Sequence, residues 1–357
     1  TPAAPMPVPA YPLPPQAFAP PVFAPPGAPI PLPDPAPSSQ VFKLPPQTTA
    51  DDPIRRRAAG GFPTGPVLVG VGALVVLCVF GFALYRLFLR AEPAPPEPFT
   101  NTVEMRLVKV EGGTFRMGSP DAEPGRAGDG REGPTRDVSI RGPLFVSATE
   151  VTVGQFTRVC GFNPSRVSKL AAQSSQLPVD AATWDEANEF CRKLTDKERG
   201  QPWARKDWAY RLPTEAEWEY LARAGSDAPF AFGNQLVFPA QGFFQFTGTD
   251  PLEGGEKPTQ PRPFAREVGR GEPNKFGLYD MHGNVWEWCS DFYRPDAYKD
   301  APRDNPPGPA DGDRRVIRGG SFQHPASAAR AAARAGENPK ERRSDVGFRV
   351  VYAPLLK

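Results

Sequence analysis

Three groups of residues in this 357-residue chain could do chemistry. The first is the block from Asp280 to Glu287. It offers two carboxylates, with Gly283 between them freeing the backbone to turn, and calcium requires oxygen ligands on a tightly turning chain. The same block also reads as a tryptophan-rich core turn. The second group is a run of arginines, Arg315, Arg318, Arg330, Arg334 and Arg349, recurring around Ser321. Arg330 and Arg334 are spaced as one helical turn. Planar guanidinium donors suit carboxylate or phosphate ligands, and they serve equally well to pair with Asp313, Glu337 and Asp345. The third group is the histidines and thiols. Two histidines, His282 and His324, cannot build a multi-histidine metal site. His324, beside Pro325, reads first as a loop residue. Cys160, Cys191 and Cys289 form no CxxC and read mostly as buried thiols, with a Cys160–Cys191 disulfide left open. No phosphate-binding Gly-Lys-Ser/Thr loop, Gly-x-Ser-x-Gly elbow or His-Glu-x-x-His is present.

These residues need elements to position them. Met105–Val110, Val138–Ile140 and Leu144–Val146 read as short strands, and Gly112-Gly113 as a turn into Thr114–Gly118. Three helix starts carry capping-box spacing: Thr152 with Gln155, Thr183 with Glu186, and Thr214 with Glu217. Trp184, Ala187, Cys191 and Leu194 fall on one helical face. Beyond Gly225 the chain is Gly-, Pro-, Asn- and aromatic-rich with little periodicity. Short helices among long loops and small strands predict an α+β domain over residues 104–357.

Six blocks then occur in order: Gly112-Gly-Thr-Phe-Arg-Met-Gly-Ser119, Glu150-Val-Thr152, Arg211-Leu-Pro-Thr-Glu-Ala-Glu-Trp-Glu219, Gly277-Leu-Tyr-Asp-Met-His-Gly-Asn-Val-Trp-Glu-Trp288, Arg318-Gly-Gly-Ser-Phe322 and Gly347-Phe-Arg349. Together they resemble the sulfatase-modifying-factor family, which includes the formylglycine-generating enzymes, over roughly residues 104–353. The resemblance implies a loop-rich variant C-type-lectin fold with calcium as a structural ion. Its ligands would be the side chains of Asp280 and Glu287 and the carbonyls of Gly283 and Val285. The family's second calcium site is not evident, because its expected Asn is replaced near Gln241–Gly242. Ser321 matches a serine beside the family's substrate groove, and Trp286, His324, Arg330 and Arg334 are taken with it as ligand-binding candidates.

The resemblance also implies a chemistry that this sequence lacks the residues for. Family enzymes oxidise a sulfatase cysteine with oxygen and copper held by two cysteines, and copper(I) selects such soft thiolates. The stretch where the pair would lie, Gly319 to Arg330, contains no cysteine. His324 stands at the first position and Ala329 near the second. Copper is therefore not expected, and the histidine cluster of the iron-dependent sulfoxide synthases is absent too. The leading reading is a membrane-anchored binding or accessory module that keeps the family fold without copper chemistry. The alternatives are a formylglycine-generating oxidoreductase using an unrecognised site, and a structural envelope protein.

The rest of the chain sets the context. Residues 1–98 hold 25 of the 48 prolines, so residues 1–64 are predicted to be a disordered polyproline spacer. A ligand for an SH3-like cytoplasmic partner is the sharper alternative. No charge falls between Arg57 and Arg86, and Gly65–Tyr85 is apolar throughout. Residues 65–90 are predicted to be one transmembrane helix and residues 91–103 a Pro-rich linker. Arg55, Arg56 and Arg57 before the helix, against Arg86 and Arg90 after it, place the N-terminus in the cytoplasm. The large domain would then lie outside it, meeting a peptide, protein or glycan ligand. Thr1 in place of an initiating Met reads as a processed chain or a piece of a longer one. A net charge of +2 excludes a strongly basic nucleic-acid binder.

Overall fold

The three capping boxes start the three helices of the computed structural model. It describes residues 98–165, 174–245, 252–255 and 264–355. Helix α1 is Val153–Cys160, α2 is Trp184–Glu198 and α3 is Glu215–Arg223. In each, the Thr hydroxyl accepts from the third residue's backbone N–H and that residue's side chain answers the cap N–H. Gly161, at φ 83°, ends α1 in the left-handed conformation that glycine adopts without strain.

Among the described residues thirteen short strands surround the helices. The first six are β1 (Phe99–Thr100), β2 (Arg106–Val110), β3 (Gly113–Met117), β4 (Arg136–Ile140), β5 (Leu144–Ser147) and β6 (Trp208–Arg211). The later ones are β7 (Leu236–Phe238), β8 (Leu252–Gly255), β9 (Trp286–Phe292), β10 (Arg315–Arg318), β11 (Arg334–Glu337), β12 (Val346–Gly347) and β13 (Val351–Pro354). A five-stranded antiparallel sheet runs β1-β2-β5-β13-β6, so the two ends of the domain meet in one sheet. A four-stranded sheet runs β11-β10-β9-β12, with β12 parallel to β9. A β3–β4 hairpin and a parallel β7–β8 pair complete the fold.

Helices α1 and α2 pack Phe156, Ala187, Phe190 and Leu194 against Phe348, Trp286 and Trp288, all buried. Phe156 stacks on Phe190 with centroids 5.6 Å apart. Helix α3 sits in a second cluster with Val138, Leu144 and Val316. A third, phenylalanine-rich cluster holds Phe230, Phe238, Phe244, Val285 and Phe322. The predicted α+β class is the observed one.

Two expectations change. Phe99 and Val103, assigned to the linker, are buried, and Phe99 lies against Phe145 and Trp203, so the domain starts before residue 104. Among the described residues no helix is long and apolar enough to cross a membrane. The helix expected over 65–90 and the spacer over 1–64 lie outside the described residues. The single-pass topology, the membrane partner and the extracytoplasmic placement are therefore withdrawn.

Candidate functional site

Three chain segments converge on the Ser321 region. Trp286 opens β9, and Asp345, just before β12, accepts the Trp286 backbone N–H at 2.8 Å. Ser321 follows β10 through Gly319 and Gly320, at φ 96° and 71°. A Cβ on Gly320 would come within 2.9 Å of the Ala328 and Ala329 backbone, so this turn closes only on glycine. Ser321 Oγ donates to Asp345 Oδ2 at 2.9 Å and lies 2.8 Å from His324 Nδ1. Trp286 Nε1 donates to the same His324 nitrogen at 3.2 Å.

The proton positions follow from the donors. Indole N–H can only donate, so His324 Nδ1 is an acceptor and its proton sits on Nε2. Burial lowers the His324 pKa further than Asp345 raises it, which favours this neutral form. The group is not a charge-relay triad. Ser321 and Asp345 both meet Nδ1, with Asp345 Oδ2 at 3.4 Å, whereas a relay uses opposite ring nitrogens. With its side chain 35% exposed, His324 is the open end of the cluster; Ser321 and Asp345 are buried beneath it.

The arginines behave differently. Arg330 and Arg334 do not share a helix, because Ala326–Ala329 is one 3-10 turn and Arg334 opens β11. Arg330 is buried and donates to Glu123 at 2.6 Å and to both oxygens of Glu132 at 2.7 and 2.9 Å. It thereby holds the loop between β3 and β4 against the segment after β10. Arg334 forks onto Glu215 at 2.6 and 2.7 Å and donates to the carbonyls of Arg131 and Arg294. Arg318 meets Glu219 and the Ala333 carbonyl. Their partners are not the acids that proximity in sequence suggested: Glu215 and Glu219 come from α3. Asp345 and Glu337 pair instead with Arg343, which was not among the five arginines.

The Asp280–Glu287 block is a buried turn leading into β9. Asp280, Gly283 and Asn284 all have positive φ, at 58°, 104° and 66°. A Cβ on Gly283 would lie 2.1 Å from the Phe243 carbonyl oxygen, so glycine is obligatory there. Asp280 Oδ1 accepts from Arg266 Nη2 at 2.9 Å and Oδ2 from the Gly269 N–H at 2.6 Å. Glu287 accepts from Arg349 through both oxygens and from Trp218 Nε1, each at 2.7 Å. All four carboxylate oxygens thus already accept N–H bonds, and each acid faces a guanidinium. This arrangement does not present an oxygen cage to a calcium ion. Val285 packs in the phenylalanine cluster. Gln241, at the altered second site, accepts from the Val237 N–H and donates to Glu272.

Sequence reading missed Arg266, Asn284 and Glu150. Asn284 Oδ1 accepts the Arg266 N–H, and its amide donates to Glu150 Oε1, both at 2.9 Å. Glu150 is fully buried, and its Oε2 has no hydrogen-bond partner. Burial first, then the charges of Asp280 and Glu287, push its carboxyl well above the ordinary range. Its presence in the Glu-Val-Thr block was the available signal.

Cys160, Cys191 and Cys289 are all free thiols, so the open Cys160–Cys191 disulfide does not form. Burial raises the Cys160 pKa to about 11 and that of the other two further. Thiols this basic are protonated at neutral pH and poor metal ligands.

A family model described as "Sulfatase-modifying factor enzyme 1-like domain" matches residues 92–354. The chain belongs to this family. Within the sulfatase-modifying-factor family it is 37% identical over 316 residues to a formylglycine-generating enzyme of Streptomyces coelicolor, covering 72% of this chain and 92% of that protein. Among solved structures it is similar to PvdO from Pseudomonas aeruginosa, with TM-score 0.59 and 28% identity over 73% of this chain and 99% of that one. It is also similar to Treponema denticola variable protein 1, with TM-score 0.58 and 26% identity over 72% of this chain and all of that one. Against that family background, the stretch from Gly319 to Arg330 has no copper-binding cysteine pair, and among the described residues the three thiols are free and form no substitute pair.

Proposed function

We propose that this sulfatase-modifying-factor domain is a binding or accessory module that recognises a peptide or glycan ligand without oxidising cysteine. The observation that carries the reading is the state of the thiols. None lies between Gly319 and Arg330, and Cys191 and Cys289 are buried and protonated. What stands at that place instead is the half-open corner of His324, Ser321 and Trp286. The Nε2–H of the partly exposed His324 ring can donate to a ligand carbonyl or hydroxyl, and buried Trp286 fixes that ring through Nδ1. Arg330 and Arg334 are buried on Glu123, Glu132 and Glu215, so their guanidinium groups are engaged in the fold instead of being offered to a ligand.

A second reading is favoured by one observation, the 37% identity to a formylglycine-generating enzyme. It would require cysteine oxidation at a site with no thiol pair. The envelope-protein reading rested on the membrane helix and falls with it.

Selection of a random peptide library on the purified chain tests the binding reading. Enriched peptides should bind wild type and lose about tenfold in affinity on His324→Ala or Ser321→Ala, the loss of one or two polar contacts. Peptides that bind both variants as they bind wild type would contradict the assigned corner.

A further inference from the structure

The Asp280 turn has the curl of an ion-binding loop and a cation already in it. Three left-handed positions within five residues, Asp280, Gly283 and Asn284, wrap the backbone, and the Asp280 side chain is entirely shielded from solvent. Against it lies Arg266, held at its backbone N–H and at both terminal guanidinium nitrogens, while its buried Nε has no hydrogen-bond partner among the described residues. Its backbone N–H is caught by Asn284 Oδ1 at 2.9 Å. Its Nη2 reaches Asp280 Oδ1 at 2.9 Å and its Nη1 the Pro239 carbonyl at 2.6 Å. The guanidinium lies 5.0 Å from the Phe243 ring centroid. Gly271 makes room for it, since a Cβ there would come within 2.6 Å of Nη2.

We propose that the Arg266 guanidinium takes the place of a calcium ion at Asp280, so that this chain closes the turn with its own side chain. The physical case has two parts. A carboxylate that receives a charge-assisted guanidinium bond on one oxygen and a backbone N–H on the other has its charge compensated and both oxygens engaged without a metal. A divalent ion added there would also face a fixed like charge in a poorly screened site. Glu287, the other expected carboxylate, is filled in the same way by Arg349 and Trp218. The inference concerns the turn alone and does not depend on what the Ser321 corner binds.

Thermal unfolding of the full chain in chelator and in millimolar calcium tests it. Wild type is expected to melt at the same temperature in both. Arg266→Gln removes the charge and should melt roughly 5 °C lower in chelator, with calcium restoring the loss. Arg266→Lys keeps a cation and should remain indifferent to calcium. A wild-type melting temperature that falls on chelation would overturn the proposal, as would an Arg266→Gln variant that ignores calcium. Should that variant not fold, equilibrium dialysis of wild type decides. No stoichiometric binding is expected at micromolar free calcium, and one ion per chain would overturn it.

Discussion

The segment after β10 contains two regions built from similar residues with opposite outcomes. At Arg330 and Arg334 every guanidinium nitrogen donates to a protein acceptor, and both side chains are buried. At Ser321 and His324, a few residues earlier, the polar groups share partners with one another and the ring stays partly open. The difference teaches how to read a charged segment. A charge density that looks like a ligand surface in sequence is here a frame, and the half-open corner beside it is the proposed ligand site.

Removing a member of the frame should cost most. Arg334→Ala leaves Glu215 without its bidentate partner in the interior, and urea unfolding should show a loss of about 3–5 kcal/mol. A loss below about 1 kcal/mol would mean that water reaches Glu215 and that the frame is not closed. Arg330→Ala should cost about 3 kcal/mol and free the loop carrying Glu123 and Glu132. Trypsin should then cut at Arg126 or Arg131 well before the rest of the domain, whereas an unchanged digestion pattern would place the loop's anchor elsewhere.

The frame should also titrate. Asp291 is buried beside Glu215, and burial first, then that neighbouring charge, raises its pKa from 3.8 to about 8. A carboxyl whose folded pKa lies above its unfolded value stabilises the fold at low pH and loses that contribution as pH rises through the folded value. Between about pH 5.5 and 8, stability should fall by at least one pKa unit's worth, about 1.4 kcal/mol. Asp291→Asn should flatten that slope, and an equally steep slope in the variant would remove Asp291 as its source. The corner should respond least. Ser321→Ala and His324→Ala are expected to change stability by no more than about 1 kcal/mol, while peptide binding drops. A large stability loss there would make the corner part of the frame.

Much of this architecture was legible in the sequence because it is local. Thr152, Thr183 and Thr214 announce their helices by the Gln or Glu three residues on, β4 shows its alternation and β2 a weak one, and β5 is a short run buried throughout. The four-stranded sheet was not legible. Trp286–Phe292 is buried on nearly every residue, and Arg315–Arg318 and Arg334–Glu337 bury arginine where a strand pattern expects apolar side chains. The pairings were equally hidden, since Arg334 and Glu215 are 119 residues apart and Arg330 and Glu132 are 198 apart. Ser321 and His324 were legible as candidates, but their link to Asp345 depends on β12 lying parallel to β9.

The central claim is that the domain keeps the family fold and its recognition corner without cysteine oxidation. The most direct measurement incubates the full chain with copper, oxygen and a Cys-x-Pro-x-Arg peptide and follows the peptide by mass spectrometry. The cysteine is predicted to remain unconverted at every time point, beside a family enzyme that converts it. Formylglycine appearing in the peptide would contradict the account.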